Sequence, residues 1–376
     1  MKPTIKPLLF CWALLASVAF CGPLRAQDVA STPAVASVPF VVGADLSLLA
    51  RIETLGGRYT RDGKQKDVLE MLKARGANVV RLRLWVAPDG EDSRVNDLPY
   101  TIALAKCVKA AGLLFLLDIH YSDTWADPGH QAKPAAWKEL NFEQLTQKVE
   151  SYSRETVVAF REAGAMPDMV QIGNETPNGM LWPDGKTLEA GGWARYATLF
   201  GAGARGVRAG AAPAAPPPIL LHLVNADSEL WKWFLGELDA KGGGAPFDAI
   251  GLSYYPDANS RLEKLAASLA NLARTHRKPI VLLETNYPHA EYDESKRAKW
   301  EFPATPAGQK IWLEHLIQTL REVPDGLGRG IIWWAPEWVP LPGLSRHYAP
   351  NMLFDDEFQS LPALDALSAA KPKDAP

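Results

Sequence analysis

The chain contains little cysteine, with three residues in a length of 376. Cys11 and Cys21 fall within the first 26 residues, which have the features of a cleavable leader, so Cys107 alone remains in the rest of the chain. A single cysteine cannot form an internal disulfide, which excludes the small cross-linked scaffolds common among secreted domains. Cys107 lies in a helical pattern, and we predict that it is a small residue of the hydrophobic core.

An excess of positive charge is also absent. The sequence has 40 Lys and Arg residues against 43 Asp and Glu, and it has no basic run interleaved with aromatic residues. Proteins that bind nucleic acid or anionic membrane surfaces concentrate basic residues on one face. We therefore expect no nucleic acid partner and, once the leader is removed, no membrane partner.

Two further absences bear on cofactors. No glycine-rich phosphate loop follows an early strand-like run, which argues against a doubly wound nucleotide-binding sheet. The chain has seven histidines and no His-x-His pair at its first strand-like run, so a metal-dependent hydrolase site built on His120 and His130 is disfavoured. We expect no cofactor and no metal. This includes calcium, because Glu291, Asp293 and Glu294 lack an alternating pattern of oxygen ligands.

The apolar run near the N-terminus is short. Residues 8–20 follow the basic Lys2 and Lys6 and fall below the ~20 residues needed to span a bilayer. This arrangement is typical of a secretory signal peptide, predicted at residues 1–26, and a membrane anchor is the alternative. We expect a secreted or periplasmic protein with a flexible lead-in at 27–38, a catalytic domain at 39–368 and a disordered tail at 369–376.

Beyond the leader, eight apolar runs of strand length alternate with helical patterns. The predicted strands cover residues 40–44, 78–85, 113–120, 169–174, 219–224, 249–254, 280–284 and 330–334. Predicted helices cover 67–76, 98–112, 142–164, 260–276 and a segment that opens at Thr305 and Pro306. Residues 201–218, rich in Gly, Ala and Pro, are interpreted as a connection. Eight strands alternating with helices predict an α/β protein that is a single-domain (β/α)8 TIM barrel.

Two of the predicted strands end on a glutamate. Glu175 closes the run that starts at Asp168, and Glu284 closes the run that starts at Pro279. A strand buried on both faces has little reason to end on a carboxylate, because burying an unpaired charge is unfavourable. Strand ends line the active site of a (β/α)8 barrel, and two carboxyls there suit hydrolysis of a glycosidic bond. An ion pair with a strand-end arginine is the structural alternative for either residue.

Neighbouring polar residues suggest a role for each glutamate. Asn174 is placed to bind a sugar 2-hydroxyl, and Glu175 would protonate the leaving oxygen, which requires a raised pKa. Glu284 must stay ionised to attack the anomeric carbon. We expect the Arg83 guanidinium to hold Glu284 ionised, with a further hydrogen bond from Tyr254. The 13 tryptophans offer flat apolar faces suited to sugar rings.

Several motifs resemble those of glycoside hydrolase family 53, the secreted endo-β-1,4-galactanases among the (β/α)8 retaining glycosidases. The resemblance spans nearly the whole chain beyond the leader. Its segments are GADLS at 43–47, VRLRLW at 80–85, DIHYSDTWADPGHQ at 118–131, VQIGNE at 170–175, GLSYYP at 251–256 and ETNYP at 284–288. The run that begins at His120 is highly specific, whereas the Asn-Glu pair marks only the wider clan.

The resemblance implies a substrate and a set of site residues. The substrate is a β-1,4-linked galactan, as in type I arabinogalactan and pectin, cleaved internally with retention. Glu175 is implied to be the proton donor and Glu284 the nucleophile. The residues implied to line the subsites around the cleaved bond are Asp45, Arg83, His120, Trp125, Asp127, Asn174, Tyr254 and Trp334. The alternatives are a same-clan endo-glycosidase acting on mannan or glucan, and a catalytically weak galactan-binding protein.

The end of the eighth strand departs from the family pattern. The family usually has WEPAW there, whereas this chain has WAPEW at 334–338. Both tryptophans are kept, but the acidic residue is found two positions later, at Glu337, and Ala335 takes its usual place. We therefore expect the contacts to substrate on that side to differ.

Overall fold

The computed structural model describes residues 37–256, 261–291, 300–345 and 350–370. Within these ranges eight parallel strands close into a barrel, in which the first strand pairs with both the second and the eighth. The predicted (β/α)8 fold is confirmed, and each predicted strand overlaps one barrel strand. The strands are β1 Val41–Asp45, β2 Val79–Leu84, β3 Leu114–Ile119, β4 Met169–Ile172, β5 Ile219–Leu223, β6 Ala249–Tyr254, β7 Ile280–Thr285 and β8 Gly328–Trp333.

Some predictions concern residues outside the described ranges. These are the signal peptide at 1–26, most of the lead-in, tail residues 371–376, the start of the helix predicted at 260, and Asp293 and Glu294 of the loop considered for calcium. Among the residues that the structure describes, none of the helices is long and apolar enough to cross a bilayer.

Helices follow the strands, and polar caps set where several of them begin. Thr305 caps the last long helix by accepting a hydrogen bond from the Gly308 amide at 3.1 Å, with Pro306 at the first helical position, as predicted. The helices are α1 Leu49–Thr54, α2 Val68–Ala74, α3 Leu98–Ala110, α4 Phe142–Glu162, α5 Gly192–Ala211, α6 Ser228–Gly242, α7 Leu262–His276, α8 Pro306–Arg321 and α9 Ala363–Ala366.

The interpretation of residues 201–218 as a connection is wrong for their first half, which completes α5. Glycine lowers intrinsic helix propensity, but here it permits close packing against α4. A Cβ atom added at Gly206 would lie 2.2 Å from the Glu150 carbonyl oxygen, and one at Gly210 would lie 2.6 Å from that of Arg154. Tertiary packing therefore selects a helix that composition disfavours.

Two further predictions about helices differ from the structure. Helix α6 was not predicted, although its buried residues Trp231, Phe234, Leu235 and Leu238 follow the spacing of an amphipathic helix. The prediction that Cys107 belongs to the core is wrong, because α3 turns that side chain to its exposed face.

The barrel interior changes from apolar to polar along its axis. Leu116, Met169 and Leu220 belong to an apolar cluster that fills the barrel. Two residues further along the same strands lie Asp118, Gln171 and His222, all fully buried. Because residues two apart point to the same face of a strand, this polar layer lies directly above the apolar one, toward the carboxyl-terminal end.

Replacing Gly206 with alanine should lower the free energy of unfolding by about 1–3 kcal/mol, because an extra methyl group would push α5 away from α4. Urea unfolding followed by circular dichroism measures the change. Gly236 on α6 is a matched control, since nothing lies within 4 Å of a Cβ placed there. Gly236→Ala should be neutral or stabilising by up to about 1 kcal/mol. Equal destabilisation by both variants would contradict the packing argument.

Candidate active site

The carboxyl-terminal ends of the strands surround a cavity of about 770 Å³. Of the ten site residues predicted from the sequence, Asp45 and Tyr254 lie outside its lining. The other eight line it: Arg83, His120, Trp125, Asp127, Asn174, Glu175, Glu284 and Trp334. The two glutamates, far apart in sequence, thus face one cavity.

Glu175 has an unusual backbone conformation just beyond β4. Its φ angle is 45°, in the left-handed region, which costs a residue with a side chain roughly 1 kcal/mol or more. The Gln131 side-chain amide donates to the carbonyl oxygens of Asn174 and Glu175, at 2.8 and 3.2 Å. The Glu175 amide donates to Nδ1 of His222 at 3.3 Å. These contacts hold the strained residue, and strain of this kind is concentrated at functional sites.

The carboxyl of Glu175 retains its proton near neutral pH. Burial raises the pKa of Glu175 to about 8, and the negative charge of Glu284 adds to the rise. The Ser253 hydroxyl, which donates to Oε1 of Glu175 at 2.5 Å, and the charge of Arg81 oppose this shift. A protonated carboxyl that faces the cavity is suited to general acid chemistry.

A bulge in β7 brings Glu284 into the cavity. The pairing of β6 with β7 passes from Leu252 opposite Leu282 to Ser253 opposite Glu284, so that Leu283 is an extra residue. Adjacent residues of a regular strand point to opposite faces, but a bulge relaxes this rule. Leu283 can therefore pack in the apolar cluster of the barrel while Glu284 faces the cavity.

Two donors hold the carboxylate of Glu284. Arg81 donates to Oε1 at 3.0 Å, and the Tyr255 hydroxyl donates to Oε2 at 2.9 Å. Burial raises the pKa of Glu284, while Arg81 and Tyr255 oppose the rise. Glu284 is in direct contact with the positive charge of Arg81, whereas Glu175 has no such contact. Glu284 therefore ionises first, and Glu175 keeps its proton.

Arg81 connects the polar groups beneath the cavity. Its guanidinium donates to the carboxylates of Asp45 at 2.9 Å and Asp118 at 2.8 Å. It also donates to the side-chain oxygens of Gln171 at 3.1 Å and Asn174 at 2.9 Å. A buried charge is tolerated only when it is paired and hydrogen-bonded, and this side chain meets both conditions.

The structure corrects the predicted ion pair of Glu284, which is made by Arg81 and not by Arg83. Both arginines point inward from β2, but Arg83 lies two residues, about 6.6 Å, further along the strand. Its guanidinium is 4.4 Å from the centre of the Trp125 ring and 3.7 Å from the Asp45 carboxylate. Arg83 therefore supports the aromatic wall of the cavity.

The predicted hydrogen bond from Tyr254 to Glu284 is also wrong by one residue. Tyr254 is the last residue of β6, and its ring stacks on Trp312 of α8 at a centroid distance of 6.5 Å. Adjacent residues along a strand point to opposite sides, so Tyr255 is the one that faces the cavity and donates to Glu284.

Asp45 and His120 are tied into the support of the site. Asp45 is fully buried and accepts a hydrogen bond from the Ser47 hydroxyl at 2.5 Å. His120 accepts from the Trp85 indole at Nδ1, at 3.1 Å, which places its hydrogen on Nε2, 2.9 Å from the Asp118 carboxylate. Both nitrogens of His120 are therefore engaged within the protein.

Three tryptophans form one wall of the cavity. Trp125 lies parallel to Trp338 at a centroid distance of 6.4 Å, and Trp334 lies 5.9 Å from Trp338. Asp127 lies at the rim, where its carboxylate is 2.9 Å from Nδ1 of His130. The wall gives the cavity flat apolar surfaces beside its carboxyls, a composition typical of sugar-binding sites.

The displaced acidic residue, Glu337, lies in the segment after β8 and turns away from the cavity. Glu337 is fully buried, and its Oε1 accepts a hydrogen bond from the Leu48 amide at 3.0 Å. The Tyr59 hydroxyl donates to its backbone carbonyl at 2.6 Å. Burial raises the pKa of Glu337 to about 8, with the charge of Asp45 contributing. The carboxyl therefore joins the core, while the neighbouring Trp338 lines the cavity.

Sequence reasoning assigned no role to Gln171, Ser253 or Trp338 and placed the tyrosine donor at the wrong residue. The available signal was a polar residue inside an apolar strand, as for Gln171 within MVQI. Such a residue has to find buried partners, because an unpaired polar group in a barrel interior is unfavourable. That rule identifies the residue as important but not its partner.

The fold and this carboxyl pair define a class of protein, the (β/α)8 hydrolases that hold two glutamates at the ends of their strands. The model of glycosyl hydrolase family 53 matches residues 41–367. The chain belongs to this family, as the sequence motifs predicted, and it is a glycoside hydrolase.

Named relatives and a solved structure agree with this membership. The probable arabinogalactan endo-β-1,4-galactanase A of Aspergillus terreus is 39% identical over 328 residues, covering 83% of this chain and 90% of that protein. The arabinogalactan endo-β-1,4-galactanase of Cellvibrio japonicus is 34% identical over 345 residues, covering 87% and 89%. The family 53 catalytic domain of Ignisphaera aggregans has a TM-score of 0.80 at 31% identity, covering 91% of this chain and 100% of that one.

Glu337→Gln should change how stability depends on pH. The folded-state pKa of Glu337, about 8, lies above its unfolded value of ~4.3. Its contribution to stability is therefore complete below the unfolded value and is lost as the pH rises toward 8. Glutamine keeps an acceptor for the Leu48 amide but cannot ionise. The stability of the variant relative to wild type should rise between about pH 5 and 8, by at most ~1.4 kcal/mol per pH unit.

Urea unfolding at each pH measures this difference. Glu357→Gln, at an exposed position, is the control and should show no trend with pH. A constant difference between Glu337→Gln and wild type would argue against a buried ionisable carboxyl at this position.

Proposed function

We propose that this protein is a secreted, retaining endo-β-1,4-galactanase that cleaves internal links of galactan and type I arabinogalactan. The observation that carries the proposal is the unequal environment of two buried carboxyls. Glu284 is paired with Arg81 and Tyr255, whereas Glu175 is kept protonated by burial and by the charge of Glu284. Similarity to two proteins named as arabinogalactan endo-β-1,4-galactanases supports the substrate. The leader-like residues 1–26 support secretion.

In the first step the Glu284 carboxylate attacks the anomeric carbon of the galactosyl unit. The bond from that carbon to the glycosidic oxygen breaks, and Glu175 transfers its proton to the departing oxygen. The products are a glycosyl ester of Glu284 and a free chain end. Esterification removes the charge of Glu284 that raised the pKa of Glu175, so the pKa of Glu175 falls once it has given up its proton.

In the second step the ionised Glu175 takes a proton from a water molecule whose oxygen attacks the same carbon. The ester bond to Glu284 breaks, and both glutamates return to their starting states. Two successive inversions at the anomeric carbon give net retention. One carboxyl thus acts as acid and then as base, and the charge of its partner switches it between the two roles.

Other cavity residues are proposed to bind the galactan chain. The Asn174 amide donates one hydrogen to the Ala126 carbonyl at 2.8 Å and keeps a second hydrogen for a sugar hydroxyl. Trp125 and Trp334 supply apolar faces for sugar rings, and Asp127 supplies a hydroxyl acceptor at the rim. Arg83, His120, Asp45 and Tyr254 are proposed to act through the side chains that they support.

Glu175→Gln should reduce turnover on galactan by about 10²–10⁴-fold with little change in KM, because it removes the proton donor and keeps the shape of the side chain. Activated aryl β-galactosides should be less affected, since a good leaving group needs little protonation. Steady-state kinetics on both substrates provide the measurement. Equal losses on both would count against the acid/base role.

Glu284→Ala should abolish hydrolysis of both substrates. If the variant keeps activity at the wild-type level, the assignment of Glu284 as nucleophile is wrong. Glu337→Gln is a matched control, because it changes a buried carboxyl that lies outside the cavity lining to an amide. This variant should keep its activity.

The substrate and the stereochemistry can be tested together. β-1,4-Galactan should be hydrolysed to fragments of intermediate length, while mannan and carboxymethyl cellulose should resist. Product sizing gives the cleavage pattern, and proton NMR of the first-formed reducing ends should show the β-anomer. If mannan or carboxymethyl cellulose is hydrolysed faster than galactan, the proposed substrate is wrong. If the first-formed product is the α-anomer, the reaction is not retaining.

A further inference from the structure

A chain of hydrogen bonds joins the two catalytic carboxyls through the barrel interior. From Arg81, which contacts Glu284, it passes to Gln171 at 3.1 Å and then from Gln171 to Nδ1 of His222 at 3.0 Å. Nε2 of His222 lies 3.0 Å from the Ser253 hydroxyl oxygen, which lies 2.5 Å from Oε1 of Glu175. The three intermediate side chains are at most 3% exposed.

Arg81 sets the direction of the first of these hydrogen bonds. A guanidinium only donates, so the Gln171 oxygen is the atom that accepts from Arg81. The Gln171 nitrogen is then the atom that faces His222, and an amide nitrogen only donates. The orientation of Gln171 is therefore determined by its partner.

The tautomer of His222 follows from its neighbours. The Glu175 backbone N–H donates to Nδ1 at 3.3 Å. The Gln171 amide nitrogen also lies 3.0 Å from Nδ1, and its two hydrogens are shared among Nδ1, the Gly173 carbonyl at 2.9 Å and the Asn174 oxygen at 3.0 Å. The Asn174 oxygen lies 3.0 Å from Nδ1 as well, but a ring nitrogen that accepts the Glu175 N–H carries no hydrogen to donate to it. Nδ1 is therefore the acceptor, and the ring hydrogen is on Nε2. Burial lowers the pKa of His222 well below its usual value, which agrees with a neutral ring.

The hydroxyl of Ser253 is thereby oriented. Since Nε2–H of His222 donates to Ser253, the serine hydrogen is directed to Oε1 of Glu175. An oxygen that accepts this hydrogen bond is a poor site for the acidic proton of the same carboxyl. The proton of Glu175 is consequently placed on Oε2.

We propose that His222 and Ser253 are positioning residues for Glu175, forming a relay oriented by Arg81 that holds the carboxyl and keeps its acidic proton on Oε2. This inference rests on the proposed role of Glu175 as acid/base. No proton has to move along the relay. It supplies one donor to Glu175 and a defined orientation, both of which remain as the carboxyl changes between acid and base.

The relay also opposes the groups that favour the protonated form. Glu284 and Asp127 face Glu175 with negative charge, Arg81 faces it with positive charge, and burial disfavours its ionised form. Removing the Ser253 hydroxyl takes away a donor to the carboxylate, so the pKa of Glu175 rises further. A higher pKa extends the acid form of Glu175 to more alkaline pH.

Ser253→Ala should therefore lower kcat on galacto-oligosaccharides on the order of 10-fold, as expected for a hydrogen bond to a charged group. KM should change little. The basic limb of the kcat/KM profile should move to higher pH, while the acidic limb, which reports Glu284, should stay in place. A basic limb at its wild-type position would overturn the relay.

Ser153→Ala is the matched control. Ser153 lies on α4, outside the cavity lining, and is as buried as Ser253. Its hydroxyl contacts the Tyr121 hydroxyl at 2.7 Å. This variant should lose stability without moving either limb. The same shift in both variants would show that the effect is structural and would overturn the proposal.

Histidine ¹⁵N NMR of the wild-type protein tests the tautomer without a risk of misfolding. His222 should remain neutral with its hydrogen on Nε2 throughout the active pH range. A signal for hydrogen on Nδ1, or a charged ring, would refute the direction of the relay. The signal of His222, one of seven histidines, can be identified from its loss in His222→Gln.

The relay and the proposed function fail in different ways. If Glu175→Gln loses activity on galactan but Ser253→Ala keeps the wild-type pH profile, the relay is wrong and the role of Glu175 stands. If Glu175→Gln keeps full activity, the acid/base assignment itself is wrong, and the relay falls with it.

Discussion

The site depends on the buried ion pairs that the guanidinium of Arg81 makes. It lies in the barrel interior, where an unpaired charge would be strongly unfavourable, and it contacts the carboxylates of Asp45, Asp118 and Glu284. This cluster accounts for the polar layer above the apolar one. It also gives Glu284 a fixed positive neighbour, so the ionised state of that residue is built into the core of the fold.

The chemistry of the second carboxyl follows from the first. Glu175 has a serine donor in place of an arginine, and the negative charge of Glu284 raises its pKa. Two glutamates of identical intrinsic acidity are thus separated by their surroundings. Because the charge of Glu284 raises the pKa of Glu175, the proposed esterification of Glu284 would lower that pKa. Positioning and electrostatics are therefore two consequences of one hydrogen-bonded network.

Much of this arrangement could be predicted from the pattern of residues. Eight apolar runs alternating with helical patterns identify the barrel, since each strand is buried on both faces. Glutamates at the ends of two such runs stand out because buried carboxyls are costly. The predicted hydrogen-bond partners of Glu284 were wrong by one or two residues along a strand. Arg81 and Arg83 share a face and differ in depth, Tyr254 and Tyr255 differ in face, and a bulge alters the register at Glu284.

The order of residues along the chain is sufficient to specify the barrel, its family and its two candidate catalytic carboxyls, because periodic burial and local motifs are encoded in neighbouring positions. The partners of those carboxyls depend on contacts between strands far apart in sequence, as between Arg81 and Glu284 or between Ser253 and Glu175. The glycine-rich half of α5 is helical for the same reason, since its partner surface lies on α4. Depth, register and hydrogen-bond direction are properties of the folded assembly, and they determine which carboxyl carries the proton.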